Sequence, residues 1–286
     1  MSNNTDAENT NANRSMTFNS NGVTWNSDTG NANASGGTYV LWNWNAGGST
    51  ASNSDGSITS SVRANTTAGF SIVGYTGNGT SNSDVTIGHG LGVTPDVVII
   101  KKRGSGGSEG QWGVLHKDLS SGKNIFMQTT SAEGTYSNKI KSMESTTFTI
   151  NVASASAGRY NRSGETYIAY VFSGVAGYSK FGSYTGNNAN DGTFVFTGFR
   201  PAWLMVKRID STRDWLIYDN KISTFNVIDD FLEPNNNTAE QSSSSNSVDF
   251  VSNGFKFRNN SGDMNGAGTY IYMAFAKSPF KYSRAL

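Results

Sequence analysis

Short apolar runs, broken by glycine, asparagine and serine, set the rhythm of this chain. PAWLMVKR (201–208) is a continuous apolar run ending in two cations, the pattern of a strand buried on both faces. DWLIYDN (214–220) follows across the polar loop IDSTR as its antiparallel partner. GTFVFTGF (192–199) reads as a strand and a turn, and VDFVSNGFKFR (248–258) as a hairpin turning on Asn253-Gly254. GTYIYMAFA (268–276) closes the set, with Tyr270, Tyr272 and Phe275 as packing residues. The best helix candidate, SAEGTYSNKIKSMES (131–145), is weak, and long amphipathic patterns with caps are missing. The pattern predicts an all-β chain of short strands joined by tight turns.

The closing phrase is written three times: GTYVLWNWN (37–45), ETYIAYVFS (165–173) and GTYIYMAFA (268–276). An Ala-Glu marker lies upstream of each, in TDAE (5–8), TSAE (130–133) and TAE (238–240). The front halves recur twice, as GYTGNGT (74–80) with SYTGNNA (183–189), and GVTPDVVIIKKR (92–103) with GFRPAWLMVKRI (198–209). QWGVLHKD (111–118) likewise matches DWLIYDNK (214–221), so the period is roughly 105 residues, too long for a solenoid unit of about 20–50 residues. The expected organisation is tandem β-sandwich repeats, jelly-roll-like, of about 105 residues. Residues 1–47 form the C-terminal half of an incomplete repeat and 48–68 a polar linker. Residues 69–176 and 177–280 are full repeats, and 281–286 a tail.

Composition narrows the function. The 33 glycines and 12% aromatic residues fit turn-rich β structure rather than a disordered chain. A net charge of +1 gives no electrostatic case for nucleic acid or an acidic membrane surface. No apolar run approaches the ~18 residues of a membrane span, and the polar N-terminus MSNNTDAENTNAN lacks the pattern of a secretory signal. Absent cysteine excludes disulfides, thiolate catalysis and cysteine metal sites.

Candidate chemistry is thin. His89 and His116 are the only histidines. Counted from the repeat markers they stand opposite Val195 and Asp219, so a shared catalytic role is not indicated, and a surface or loop role is expected for both. Asp229 and Asp230 are adjacent and would point to opposite faces of a strand. Asp84 and Asp96 flank glycine-rich loops. NSDG (53–56) and NANDG (188–192) offer oxygen-rich turns but no full calcium loop. GHGLG (88–92) has no helix after it to complete a phosphate cradle. Trp112 and Trp215 recur in both full copies and read as core. The N-x-S/T sequons at Asn65 and Asn161 follow from composition alone. No catalytic, cofactor-binding or metal-binding residue is assigned. Trp42 and Trp44 share one face by period two and, with Tyr39, are the expected assembly surface, because their half repeat lacks its front strands.

The motifs YTGN, G-F-x-P-x-W-x-x-x-K-R (198–208), D-W-x-x-Y-D (214–219), N-x-x-A-E (236–240), S-N-G-F (252–255), G-T-Y-x-x-M-A-F (268–275) and SPFKY (278–282) together carry a resemblance. The chain resembles a repeat domain of uncharacterised virion structural, tail-fibre-like proteins of marine tailed bacteriophages, cyanophages especially. The middle copy departs most, lacking the Asn-Gly turn and carrying Val171-Phe172 where the family has an alanine and an aromatic. The resemblance implies a non-enzymatic virion component on the external surface or tail, present in host cytoplasm before assembly. It implies partners among other copies of itself, a trimer first, and other virion proteins. A carbohydrate-binding receptor module that contacts host surface glycan, or a capsid decoration protein, is the alternative.

Overall fold

The computed structural model describes residues 2–9, 15–25, 33–104, 109–152 and 159–278. Among these there is no α-helix, and no helix long and apolar enough to cross a membrane. An N-terminal hairpin pairs β1 (Met16–Asn19) with β2 (Gly22–Trp25). Then come β3 (Ala51–Asn53), β4 (Ser60–Asn65), β5 (Phe70–Thr76), β6 (Ser83–Gly88), β7 (Val97–Lys102), β8 (Gly113–His116), β9 (Ile125–Phe126), β10 (Asn138–Met143), β11 (Thr147–Val152) and β12 (Thr166–Phe172). They form a seven-stranded sheet, β3-β4-β5-β12-β7-β8-β9, and a three-stranded sheet, β10-β11-β6. The second half holds β13 (Ser179–Gly186), β14 (Phe194–Phe196), β15 (Pro201–Arg208), β16 (Trp215–Asp219), β17 (Asp230–Phe231), β18 (Gln241–Ser242), β19 (Val248–Val251), β20 (Gly254–Phe257) and β21 (Gly268–Ala276). Its sheets run β13-β21-β15-β16, β14-β20-β19 and β17-β18.

The architecture is sandwich-like. In each half the inner face of the large sheet packs on the three-stranded sheet. Val98, Ile100, Phe148, Ile150 and Tyr167 share one core, and Leu204, Val206, Phe250, Phe255 and Tyr270 share another. The outer faces of the two large sheets close on each other in a third cluster that includes Val97, Ile99, Phe172, Trp203, Met205 and Phe275. Side chains alternate across a strand, so β7 and β15 need apolar residues at every position to serve two cores. That is why both read as unbroken apolar runs.

The repeated tyrosines now have a role. Tyr75 of β5 lies opposite Tyr167 of β12 and stacks on it with ring centroids 5.0 Å apart. Tyr184 of β13 does the same to Tyr270 of β21 at 4.9 Å. Beside them, buried Asn161 donates to Asn78 Oδ1 at 2.9 Å and Asn265 to Asn187 Oδ1 at 2.8 Å, which clamps both Tyr-Thr-Gly-Asn loops. Asn161 is fully buried, so its sequon presents no glycan acceptor.

Three expectations change. Residues 48–68 are not a linker: β3 and β4 extend the first large sheet, and Ser60 and Val62 are buried. Their polar alternates face water, which gave the segment its linker-like composition. The helix candidate at 131–145 contains β10, whose Ile140 is buried opposite Ile150 of β11. The hairpins at Asn21-Gly22 and Asn253-Gly254 exist, but Asn19 pairs with Gly22 and Val251 with Gly254. The two-residue loops are therefore Ser20-Asn21 and Ser252-Asn253, and each glycine opens a strand. Residues 281–286, the expected tail, lie outside the described residues.

Phe275 touches Trp44, Phe172, Phe181 and Trp203 at the joint between the sheets. Phe275→Ala is expected to cost about 3–5 kcal/mol in urea unfolding. A loss under about 1 kcal/mol would show that the joint does not hold the halves together.

Candidate functional site

Two backbone seams of the same construction run through the molecule. In the first, Lys101 near the end of β7 turns its ammonium inward and donates to the carbonyls of Asp6 and Lys102, both at 2.8 Å. The Glu8 amide donates to Arg103 O at 2.7 Å, and the Arg103 guanidinium grips the Glu8 carboxylate at 2.7 Å. In the second, Lys207 near the end of β15 donates to Thr130 O at 3.3 Å and Arg208 O at 2.5 Å. The Glu133 amide donates to Ile209 O at 2.9 Å. Thus the Ala-Glu marker of one stretch docks on the lysine-bearing strand end of the next. Burial pushes the Lys207 ammonium down to about 8, and burial lowers Lys101 as well. Carbonyl acceptors make burial of such ammonium groups tolerable. The sequence reading assigned these lysines no part. The signal was their recurrence at the same step after a proline, Pro95 to Lys101 and Pro201 to Lys207.

The third feature is a groove of about 820 Å³. The N-terminal segment forms one wall with Phe18, Leu41 and Trp42, the outer face of the first large sheet another with Trp112 and Tyr170, and Leu232–Pro234 with Asn236–Thr238 the floor. Of the expected assembly surface, Trp42 and Trp44 are half-buried against Trp203, with ring centroids at 6.1 and 5.7 Å. The Trp42 indole also donates to Asp219 Oδ2 at 2.5 Å. Much of their surface is therefore covered from within the chain, while Tyr39 stays 51% exposed.

The remaining polar candidates act as struts. Both histidines are buried rather than at the surface, because each ring clasps backbone at both ends. His116 Nδ1 accepts from the Asp118 amide at 3.1 Å and Nε2 meets Tyr272 O at 3.3 Å. His89 Nδ1 accepts from Leu91 N at 3.2 Å and Nε2 meets Glu144 O at 3.1 Å. Burial holds His116 down at about 4 and lowers His89 too. Strand register puts His116 opposite Val97 and Asp219 opposite Trp203, while His89 lies just past the end of β6 and Val195 faces Phe255 within β14. Asp84 pairs with Asn151 at 2.8 Å and with Lys141, Asp96 with Lys117 at 2.9 Å, and Asp230 with Ser223 at 2.7 Å. NSDG closes as a turn through Asp55 N on Asn53 Oδ1, and Asp191 of NANDG pairs with Lys256. In GHGLG, Gly90 and Gly92 both take φ of +72°, which only glycine adopts freely, so the stretch is a turn. Trp215 is buried, with its indole N–H on Phe126 O at 3.2 Å, and Trp112 is half-buried on Tyr170. Among the described residues no three His, Asp or Glu side chains converge.

Residues 1–279 match a protein family described as Domain of unknown function (DUF7483), and the chain belongs to that family. No curated protein and no solved structure matches the chain.

The histidines give the fold a pH dependence. The unfolded imidazole takes a proton as pH falls below about 6.5, while folded His116 resists down to about 4. Stability should therefore drop between those values, by about 3 kcal/mol from His116, and level off below. Urea midpoints at pH 7 and pH 4.5 measure it. His116→Gln should flatten the profile, and an unchanged slope in that variant would rule His116 out as the source.

Proposed function

We propose that this member of the DUF7483 family is a non-enzymatic structural protein of a tailed-bacteriophage virion, from a tail fibre or another external appendage. In this reading it is built of tandem β-sandwich units of about 105 residues, residues 69–176 and 177–280, preceded by the second half of another. The observation that carries it is the seam made twice, in which the Ala-Glu marker of one unit seats the buried lysine of the next, Asp6 with Lys101 and Thr130 with Lys207. A joint written into every unit is an assembly device, and it propagates by repetition. The matching strand orders β5-β12-β7-β8 and β13-β21-β15-β16 support the tandem reading. The use of histidines and carboxylates as struts supports a structural role. The chain assembles with copies of itself, a trimer first, and with other virion proteins.

A carbohydrate-binding reading has one observation in its favour. Phe194 and Phe196 share a face of β14 and are 45% and 57% exposed, a surface on which a sugar ring could stack.

Two measurements test the proposal. Immunogold labelling of purified phage particles is expected to decorate the tail or an appendage, and unlabelled particles would sink the virion reading. Light scattering at micromolar concentration is expected to give a multiple of the 30.6 kDa chain mass, three first. Multi-turnover release of reducing ends from bacterial exopolysaccharide would overturn the non-enzymatic assignment.

A further inference from the structure

The seam is made twice, yet the marker occurs three times. The third, Asn237–Glu240, is exposed. It already holds the shape of the first: Thr238 N donates to Asn236 Oδ1 at 3.0 Å, as Asp6 N does to Asn4 Oδ1 at 3.3 Å. Among the described residues no lysine reaches the Asn237 or Thr238 carbonyls, and no carbonyl takes the Glu240 amide. Asn237 and Thr238 of the marker line the 820 Å³ groove.

The opposite wall is incomplete in a matching way. Residues 165–173 and 268–276 become strands because each lies between two others, β5 and β7 for β12, β13 and β15 for β21. Residues 37–45 carry the same phrase and form no strand. Among the described residues no backbone–backbone hydrogen bond engages 38–46. Inward and outward positions still alternate, with Trp42, Trp44 and Ala46 turned to the core. Tyr39, whose counterparts stack on Tyr75 and Tyr184, stands exposed with Val40 and Leu41.

The hairpins add an independent sign. A Cβ on Gly254 would meet Val195 O of β14 at 2.1 Å, whereas at Gly22 nothing lies within 4 Å. Gly254 faces Phe196, while in the middle copy Thr147 faces Gly88, so each hairpin and its third strand divide the space between them. Gly22 keeps that room, and among the described residues β2 has only β1 beside it.

We infer that the groove is the seat of a partner polypeptide that carries the front half of such a unit. This rests on the tandem-unit reading above. The partner would supply a strand with a stacking tyrosine on one side of residues 38–46. On the other side it would lay a strand whose lysine near its end enters the Asn237–Glu240 marker. Strand addition satisfies the open backbone, and the apolar walls cover the partner's outer face. A second copy of this chain is the weaker occupant, because its own Lys101 and Lys207 strands are already seated.

The probe is a synthetic peptide of residues 179–219, which spans β13–β16, titrated into the full chain by calorimetry and amide hydrogen exchange. Saturable binding with new protection at residues 38–46 is expected. A Lys207→Glu peptide should bind at least about tenfold more weakly, as should the chain carrying Tyr39→Asp and Leu41→Asp with unchanged circular dichroism. Fusing the same segment ahead of residue 1 through a flexible linker guards against a peptide that does not fold, and should also protect 38–46. No protection from peptide or fusion overturns the inference. So does self-association of the chain alone that the double variant abolishes, or a glycan that protects 38–46 in place of the peptide. If residues 69–176 and 177–280 fail to superpose, with Trp112 and Trp215 out of register, in an experimental structure, the tandem reading itself falls. If they superpose and 38–46 stay open, only the docking inference falls.

Discussion

The contact between the outer faces of the two large sheets governs the rest of the molecule. A sheet that covers one core can leave its other face to water, but here that face carries Val97, Ile99 and Phe172 on one side and Trp203, Met205 and Phe275 on the other. Each half therefore holds an apolar face that only its neighbour covers, and the N-terminal segment adds Trp42 and Trp44 to the same joint. Burial at roughly 25 cal/mol per Å² makes such a joint worth several kcal/mol before any hydrogen bond is counted. The lysine seams at its rim then fix which edges meet, since a buried ammonium tolerates only a position where carbonyls receive it.

This arrangement engages several polar side chains in contacts within the fold. A buried histidine that accepts an amide on one nitrogen and meets a carbonyl with the other has no free nitrogen for catalysis, and both histidines are held so. Asp84 and Asp96 lie at strand ends, where Asp84 neutralises Lys141 and Asp96 neutralises Lys117 and accepts the Gly174 amide.

The same phrase in three contexts shows how far local sequence reaches. Gly-Thr-Tyr followed by aromatic and aliphatic residues makes strand β21, and its looser relative makes β12. In residues 37–45 it makes an extended segment whose tryptophans still face inward. Side-chain alternation is intrinsic to an extended backbone, so it persists. Strand identity depends on neighbours that donate and accept hydrogen bonds, so it vanishes where they are missing.

Apolar runs, turn residues and periodicity were enough to determine the all-β class, the β15–β16 pair, the β19–β20 hairpin and the core placement of Trp215. The recurring markers were legible too, because each is a local string of residues that packs in a local way. Tertiary structure alone decided that polar residues 48–68 contain strands β3 and β4, since a strand with one face in water buries only alternate residues such as Ser60 and Val62. It decided that His89 and His116 are buried, since a ring satisfied by backbone carries no trace in the sequence. It decided, above all, that the marker and the lysine belong together. Asp6 and Lys101 are 95 residues apart along the chain, and Thr130 and Lys207 are 77 apart. No local pattern joins residues so far apart; the packing of one sheet against another does.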